Sequence, residues 1–310
     1  MNIALCTDET FAIPALVCIT SVFENNKEEN CHVYVLTDGI TEKSRKKFMQ
    51  LSSTYSQSID IIDIDVHRFD GLIVSERYPR SIYYRFLLPE VLPDEETVLY
   101  LDCDVIVRHS LRPLFEMNIS AYALGAVVSQ SCDWVKWAND FKLVSPFFNS
   151  GVLLINLDYW RKNSVFDPLI EWVKAYPKRL WLPDQSALNK VFEGHILYLN
   201  YTYNFQERWT QALEDSYIHF SRWPDIEQAG KDPVIVHFCE AEKPWFIESK
   251  KKFKDDFLYY ATMHEFVQFQ LKKRYGSIYK LASLLDKFGL KCRWLAEKWQ
   301  NSILKKAGEV

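Results

Sequence analysis

Two aspartates, Asp102 and Asp104, follow the apolar run Val98–Leu101 and flank a single cysteine, Cys103. In an extended segment, side chains two residues apart face the same side. Paired carboxylates repel unless a cation lies between them, and a hard divalent ion such as Mg²⁺ or Mn²⁺ suits oxygen ligands. Such an ion can bridge a diphosphate and stabilise the charge on a leaving nucleotide. A second apolar run, Val234–His237, ends on a histidine whose imidazole offers a third ligand. Imidazole is intermediate in softness, which favours Mn²⁺ over Mg²⁺. Lys243 follows six residues later, before Pro244, in a loop suited to reach phosphate. None of the nine glycines forms GxGxxG or GxxxxGK[ST], so metal and lysine must neutralise any phosphate that binds.

The surrounding sequence supplies elements to position these groups. Asn2–Thr7, His32–Thr37, Ile59–Val66 and Val98–Leu101 read as apolar strands. Between them, Ala15–Phe23 and the stretch from Ser44 to Leu51, capped by Thr41, read as helices. Ser81–Leu88 reads as helical, broken by Pro89 and Pro93. Alternating strands and helices predict an α/β fold with a mostly parallel sheet covered on both faces. Ligands of such sheets sit at the carboxyl ends of the strands, where Asp8, Asp38, Asp102 and Asp104 all fall. Further on, Ala123–Val128, Gly151–Asn156 and Val234–His237 read as strands, and Asp167–Tyr176 and Gln185–Phe192 as helices.

The 310 residues are 48% hydrophobic and 25% charged, ordinary globular usage that excludes disordered and collagen-like chains. Charge is uneven. Residues 1–269 hold 27 Lys+Arg against 38 Asp+Glu, and residues 270–310 hold 10 against 3. The acidic body argues against nucleic-acid binding. The basic tail interleaves Lys272, Lys273, Arg274, Lys280 and Lys287 with Tyr275, Leu284, Phe288, Trp294 and Trp299, the composition of an interfacial helix on anionic lipid. Seven scattered cysteines without CxxC suggest thiols in a reducing cytosol. The first 20 residues lack a basic region, and Asp8 and Glu9 interrupt the apolar run, so a signal peptide is not expected. No apolar run reaches the ~18 residues of a membrane-spanning helix.

At this point the chain resembles glycosyltransferase family 8, retaining enzymes that use nucleotide-sugar donors on a GT-A fold. The resemblance rests on the strand into Thr7-Asp8, RSIYYRFLLPEVL (80–92), LYLDCDVIV (99–107), FFNSGVLLINL (147–157), DQSALN (184–189) and HFCEAEKPW (237–245). Length and tail look like the bacterial lipopolysaccharide and lipooligosaccharide branch. The resemblance implies a GT-A catalytic domain over residues 1–250, with a nucleotide-binding half to about 107 and an acceptor-side half beyond, then a helical, basic region over 251–310. It implies that Asp102, Asp104 and His237 bind Mn²⁺ (or Mg²⁺) on the diphosphate of a UDP-hexose. Thr7, Asp8 and Phe11 would lie at the nucleoside, with Phe11 stacking on the base. Arg85 and the Cys103 position would contact the donor, Asn149 its sugar, and Lys243 its phosphates. Asp184 and Gln185 would line the reacting face, Asp184 also capping a helix that begins at Gln185. Gln185, a poor nucleophile, would serve better in stabilising an oxocarbenium ion.

Three departures from the family pattern stand out. They are Thr10 in place of a frequent Asn; Ser129 where a sugar-binding Asp is common, with Asp133 the nearest acid; and Glu240 in place of glycine. A carboxylate at 240 must point away from the diphosphate or pair with Lys243. Retention can arise by double displacement through a carboxylate or by front-face attack beside departing UDP, which the single acid of the DQSALN motif favours. The acceptor is expected to be a saccharide or lipid-linked glycan, and the protein cytoplasmic, peripheral to the inner face of the membrane. Other readings are a self-glycosylating glycogenin-like initiator, a haloacid-dehalogenase-type phosphatase, whose DxD follows the first core strand, or a non-catalytic nucleotide-sugar or lipid-binding protein. Removing residues 271–310 is expected to abolish binding to anionic vesicles and spare UDP release from a UDP-sugar; undiminished vesicle binding refutes the assignment of the tail.

Overall fold

The computed structural model describes residues 1–75, 78–129, 142–176, 182–207 and 223–273. Among these, the strands are β1 (Asn2–Cys6), β2 (His32–Thr37), β3 (Ser58–Asp63), β4 (Thr97–Leu101), β5 (Val105–Val107), β6 (Leu124–Val128), β7 (Phe148–Asn156), β8 (Ile196–Tyr198), β9 (Phe205–Gln206) and β10 (Ile235–His237). The α-helices are α1 (Ala12–Asn25), α2 (Glu42–Tyr55), α3 (Leu88–Val91), α4 (Arg112–Phe115), α5 (Leu157–Lys162), α6 (Phe166–Ala175), α7 (Pro183–Val191), α8 (Trp223–Ala229) and α9 (Lys254–Thr262).

Seven strands form one sheet in the order β3-β2-β1-β4-β7-β6-β8. Strands β3, β2, β1 and β4 run parallel; β7 is antiparallel to both β4 and β6; β6 and β8 are parallel. Side chains alternate between two buried layers. Ile3 and Leu5, Leu99 and Leu101, and Val152 and Leu154 enter one layer with Leu16, Val22 and Phe23 of α1. Ala4 and Cys6, Val98 and Tyr100, and Leu153 and Ile155 enter the other with Leu88, Trp160, Leu169 and Leu188. Strands buried on both faces explain the continuous apolar runs of the sequence. This is the α/β, mostly parallel sheet with flanking helices that the sequence predicts.

Antiparallel β7 brings its amino end, not its carboxyl end, to the edge where β1 and β4 finish. Leu101 pairs with Val152, and the Asp102 N–H donates to the Gly151 carbonyl at 2.8 Å. The strand also begins three residues before the expected Gly151, because Asn149 and Ser150 find polar partners although buried. Ala126 pairs with Leu153 but Val128 with Phe148, so β7 carries extra residues across this step, a bulge that frees backbone donors. Side chains of α7 take them up. Asn189 Oδ1 accepts the Phe148 N–H at 2.8 Å and Gln185 Oε1 accepts the Ser150 N–H at 3.0 Å. Four helical residues rise about 6 Å and two strand residues about 6.7 Å, so positions 185 and 189 match 150 and 148.

A second, three-stranded sheet has the order β5-β10-β9. It registers His237 opposite Val105 and beside Gln206. The short crossing from β4 to β5 is therefore the hinge between the sheets, and Asp102–Asp104 occupy it as a turn, not as extended chain. Residues Arg80–Leu87 form a 3₁₀ segment. Pro89 has no N–H for the Arg85 carbonyl, and the Leu88 N–H takes that carbonyl instead. Thr41 caps α2 as expected, its hydroxyl accepting the Ser44 N–H at 3.2 Å.

The boundary expected at residue 250 falls inside this packed body. Phe257, Tyr260 and Ala261 of α9 are buried in the α1-side layer. Asn25 Nδ2 donates to Tyr260 Oη at 2.8 Å, and Lys47 Nζ donates to the Val267 carbonyl at 2.8 Å. Most of the basic tail, residues 274–310, lies outside the described residues, as does Asp133. Among the described residues, no helix is long and apolar enough to cross a membrane. Trp160 anchors the opposite layer: it is fully buried, donates from Nε1 to the Ala123 carbonyl at 3.0 Å and stacks on Phe192 at 4.9 Å. Trp160→Ala is expected to destabilise the fold by about 3–5 kcal/mol, read as a lowered urea midpoint.

Candidate active site

Asp102, Asp104 and His237 converge at the hinge between the sheets. One ligand atom of each lies within 4.8 Å of the others. Turn geometry, not strand alternation, achieves this: each carboxylate gives one oxygen to a partner and turns the other toward His237. Asp102 Oδ1 accepts from Arg85 at 3.0 Å and Tyr100 Oη at 2.8 Å, leaving Oδ2 3.8 Å from His237 Nε2. Asp104 Oδ2 accepts from Lys243 Nζ, leaving Oδ1 3.2 Å from the same nitrogen. His237 Nδ1 is 3.1 Å from Asn204 Oδ1, the outer hydrogen bond typical of a metal-bound imidazole. Two hard oxygens and one nitrogen at this spacing fit a divalent ion. Asp102 is 28% exposed, so the cluster opens to solvent on its side.

Electrostatics support the same reading. Burial opposes ionisation of Asp104, but Lys243 and His237 outweigh it and hold the carboxyl well below the ordinary carboxylate range. At Asp184 burial prevails over Arg85, with Asp102 adding to it, and the carboxyl is raised. Three carboxylates, Asp102, Asp104 and Asp184, face two fixed cations, Arg85 and Lys243. The residual negative charge is one that a divalent cation reverses before a diphosphate arrives.

The other expected residues divide by where their side chains point. Arg85 is almost fully buried and spends its donors on protein: the Ile82 carbonyl at 3.0 Å, the Ser150 carbonyl at 2.7 Å, Asp102, and Asp184 at 3.4 Å. Its guanidinium also lies 4.1 Å over the Tyr100 ring. It therefore braces two acids. Asp184 is not the helix cap: α7 begins at Pro183, and the carboxylate accepts from Ser150 Oγ at 3.0 Å inside the first turn. Gln185 Oε1 faces Ser150 N and Asn149 Nδ2, at 3.0 and 3.3 Å, while buried Nε2 has no partner among the described residues. The amide oxygen expected to support a cation is thus already engaged. Asn149 Oδ1 accepts from the Gly151 N–H at 3.0 Å and Asn204 Nδ2 at 2.9 Å.

Cys103 points into the core, its thiol donating to the Cys6 carbonyl at 3.3 Å and pushed far up by burial. Asp8 Oδ1 accepts the Phe11 N–H at 3.0 Å, Thr7 Oγ1 donates to the Asp8 carbonyl at 3.0 Å, and Phe11 meets Trp245 edge to face at 5.9 Å. Glu240 pairs with Lys251 at 3.0 Å, so the carboxylate at 240 has a counter-charge of its own. Ser129 is buried.

Sequence reasoning missed Tyr100, Ser150, Gly151, Asn204 and Lys251. Tyr100 had a signal, lying two residues before Asp102 on the same strand. Asn204 had none, because only the pairing of β9 with β10 brings it to His237.

Comparison with known proteins agrees with the geometry. Residues 2–248 match the sequence pattern of "Glycosyl transferase family 8". The chain is 25% identical over 267 residues to general stress protein A of Bacillus subtilis, covering 84% of this chain and 93% of that protein. It is 28% identical over 252 residues to the lipopolysaccharide 1,3-galactosyltransferase of Salmonella typhimurium, covering 79% and 72%. The solved structure of galactosyltransferase LgtC with donor and acceptor sugar analogues superposes with a TM-score of 0.75 and 27% identity, covering 85% of this chain and 96% of that one.

Gly151 tests the metal assignment. A Cβ there would sit 2.2 Å from His237 Cε1 and 2.7 Å from Asp102 Oδ2. Gly151→Ala is expected to displace the imidazole and weaken Mn²⁺ binding about tenfold or more, measured by calorimetry on protein whose circular dichroism is unchanged.

Proposed function

The chain belongs to glycosyl transferase family 8 and is a glycosyltransferase, and from that premise we propose that it moves galactose or glucose from a UDP-hexose to a saccharide hydroxyl, with retention at the anomeric carbon. The observation that carries this reading is the convergence of Asp102, Asp104 and His237 at the hinge between the two sheets. A divalent ion held there, Mn²⁺ by the mixed oxygen and nitrogen donor set, supplies positive charge against the diphosphate leaving group. Lys243 lies on Asp104 and the Phe238 carbonyl, at the edge of the same cluster, placed to add a second cation to that charge. Asp8 and Phe11 mark the nucleoside side, at the carboxyl end of β1.

The sugar-facing wall is Asn149, Asp184 and Gln185. Asp184 Oδ2 is held by Arg85 and Ser150, and Gln185 Oε1 is held by the Ser150 N–H, so the wall carries a single acid and the Gln185 amide oxygen is engaged. The engaged Gln185 oxygen and the pairing of that single acid with Arg85 support front-face attack by the acceptor hydroxyl beside departing UDP over a covalent intermediate. A kinetically competent Asp184 glycosyl adduct would contradict that route. The lipopolysaccharide 1,3-galactosyltransferase among the relatives supports a lipid-linked saccharide acceptor. The basic, aromatic composition of residues 270–310 supports a cytoplasmic enzyme held at the inner membrane face through anionic lipid. No observation favours a self-glycosylating initiator, and membership of family 8 displaces the phosphatase reading.

Screening UDP-sugars for Mn²⁺-dependent UDP release tests the proposal. One UDP-hexose is expected to stand out, and Asp104→Ala is expected to abolish its turnover. Release that persists in Asp104→Ala, or in wild type under chelation, overturns the assignment.

A further inference from the structure

Three buried amides join the metal ligand to the sugar-facing wall, and their direction can be deduced. The Gly151 N–H can only donate, so the atom of Asn149 at 3.0 Å from it is the oxygen. The Ser150 N–H likewise identifies Gln185 Oε1 at 3.0 Å. With Asn149 Oδ1 assigned, the Asn204 atom 2.9 Å away must be its nitrogen. Asn204 therefore turns its oxygen to His237 Nδ1 at 3.1 Å, and that nitrogen must carry a proton. At the other end Asn149 Nδ2 donates to Gln185 Oε1 at 3.3 Å, and Gln185 Nε2, in a residue 3% exposed, is a donor with no partner among the described residues. Two backbone N–H groups of β7 thus set the polarity of the whole chain of amides. A buried amide with no partner is costly unless a ligand supplies an acceptor.

We propose that Asn204, fully buried, is a positioning residue for the transfer. It holds His237 with Nδ1 protonated and Nε2 directed to the ion, and through Asn149 it holds Gln185 with its N–H groups toward an oxygen of the donor sugar or its phosphate. Gln185 then acts as a hydrogen-bond donor and not as a nucleophile. This inference rests on the proposed transferase reading for its ligand, but not for its first test.

Proton–nitrogen correlation NMR of the labelled full chain, metal-free and with Mg²⁺, reads His237 directly. Nδ1 is expected to carry a proton in both states; a bare Nδ1 overturns the proposal whether or not any sugar is turned over. Asn204→Leu removes both arms and is expected to weaken Mn²⁺ binding and lower kcat, each about 10–100-fold. Asn204→Asp can still accept from Nδ1 but cannot donate to Asn149. It is expected to bind Mn²⁺ no more weakly than wild type and to lose at least about tenfold in kcat with little change in KM for the UDP-sugar. Wild-type Mn²⁺ affinity and kcat in the leucine variant, or wild-type kcat in the aspartate variant, refutes it. Should the leucine variant not fold, the NMR and the aspartate variant still decide. Loss of Mn²⁺-dependent UDP release in wild type would sink the transferase reading and leave the state of Nδ1 to be judged separately.

Discussion

The buried guanidinium of Arg85 is the constraint from which the site follows. Three acids crowd one cleft, and without a cation among them two would have to stay protonated or move apart. Arg85 lies 3.0 Å from Asp102 and 3.4 Å from Asp184, with its side chain 3% exposed. Burying such a charge is tolerable only when its donors are used. Here two backbone carbonyls, two carboxylates and the face of Tyr100 use them. The consequence is directional. With one oxygen of Asp102 committed to Arg85 and Tyr100, the other is left for His237, and Lys243 imposes the same division on Asp104.

Backbone irregularity places those charges. A regular β4 would continue through Asp102 and keep its side chains alternating between two core layers. Instead the chain leaves the main sheet at Leu101 and enters the second at Val105, and the turn between them presents both carboxylates. Beside it, the bulge in β7 opens backbone donors at Phe148 and Ser150, which Asn189 and Gln185 occupy. The same bulge brings Gly151 against His237, an approach closer than any side chain allows. Departures from regular strand geometry, at the carboxyl edge of the sheet, are thus where the chemistry is assembled.

Much of this was legible beforehand, and for identifiable reasons. The strands β1, β2, β4, β6 and β10 are short apolar runs bounded by polar residues, and burial on both faces writes that pattern directly. The Asp102–Asp104 pair and His237 were legible because acids and a histidine rarely end apolar runs without a task. The amino end of β7 was not legible, since Asn149 and Ser150 look like loop residues until their partners on α7 are known. Asp184 looked like a helix cap because capping is a local rule, whereas its real partners, Ser150 and Arg85, are 34 and 99 positions away. Glu240 looked like a liability beside the diphosphate until Lys251 was found against it.

By itself, the sequence determined the α/β class, the order of most strands, the family and the ligand types, because these depend on local periodicity and on which side chains bind hard cations. Tertiary structure alone decided the antiparallel course of β7, the convergence of two sheets on one ion site, and the polarity of the Asn204–Asn149–Gln185 chain. Those follow from pairing register and from which backbone N–H meets which amide. Both are contacts between distant segments, and no local pattern of residues encodes them.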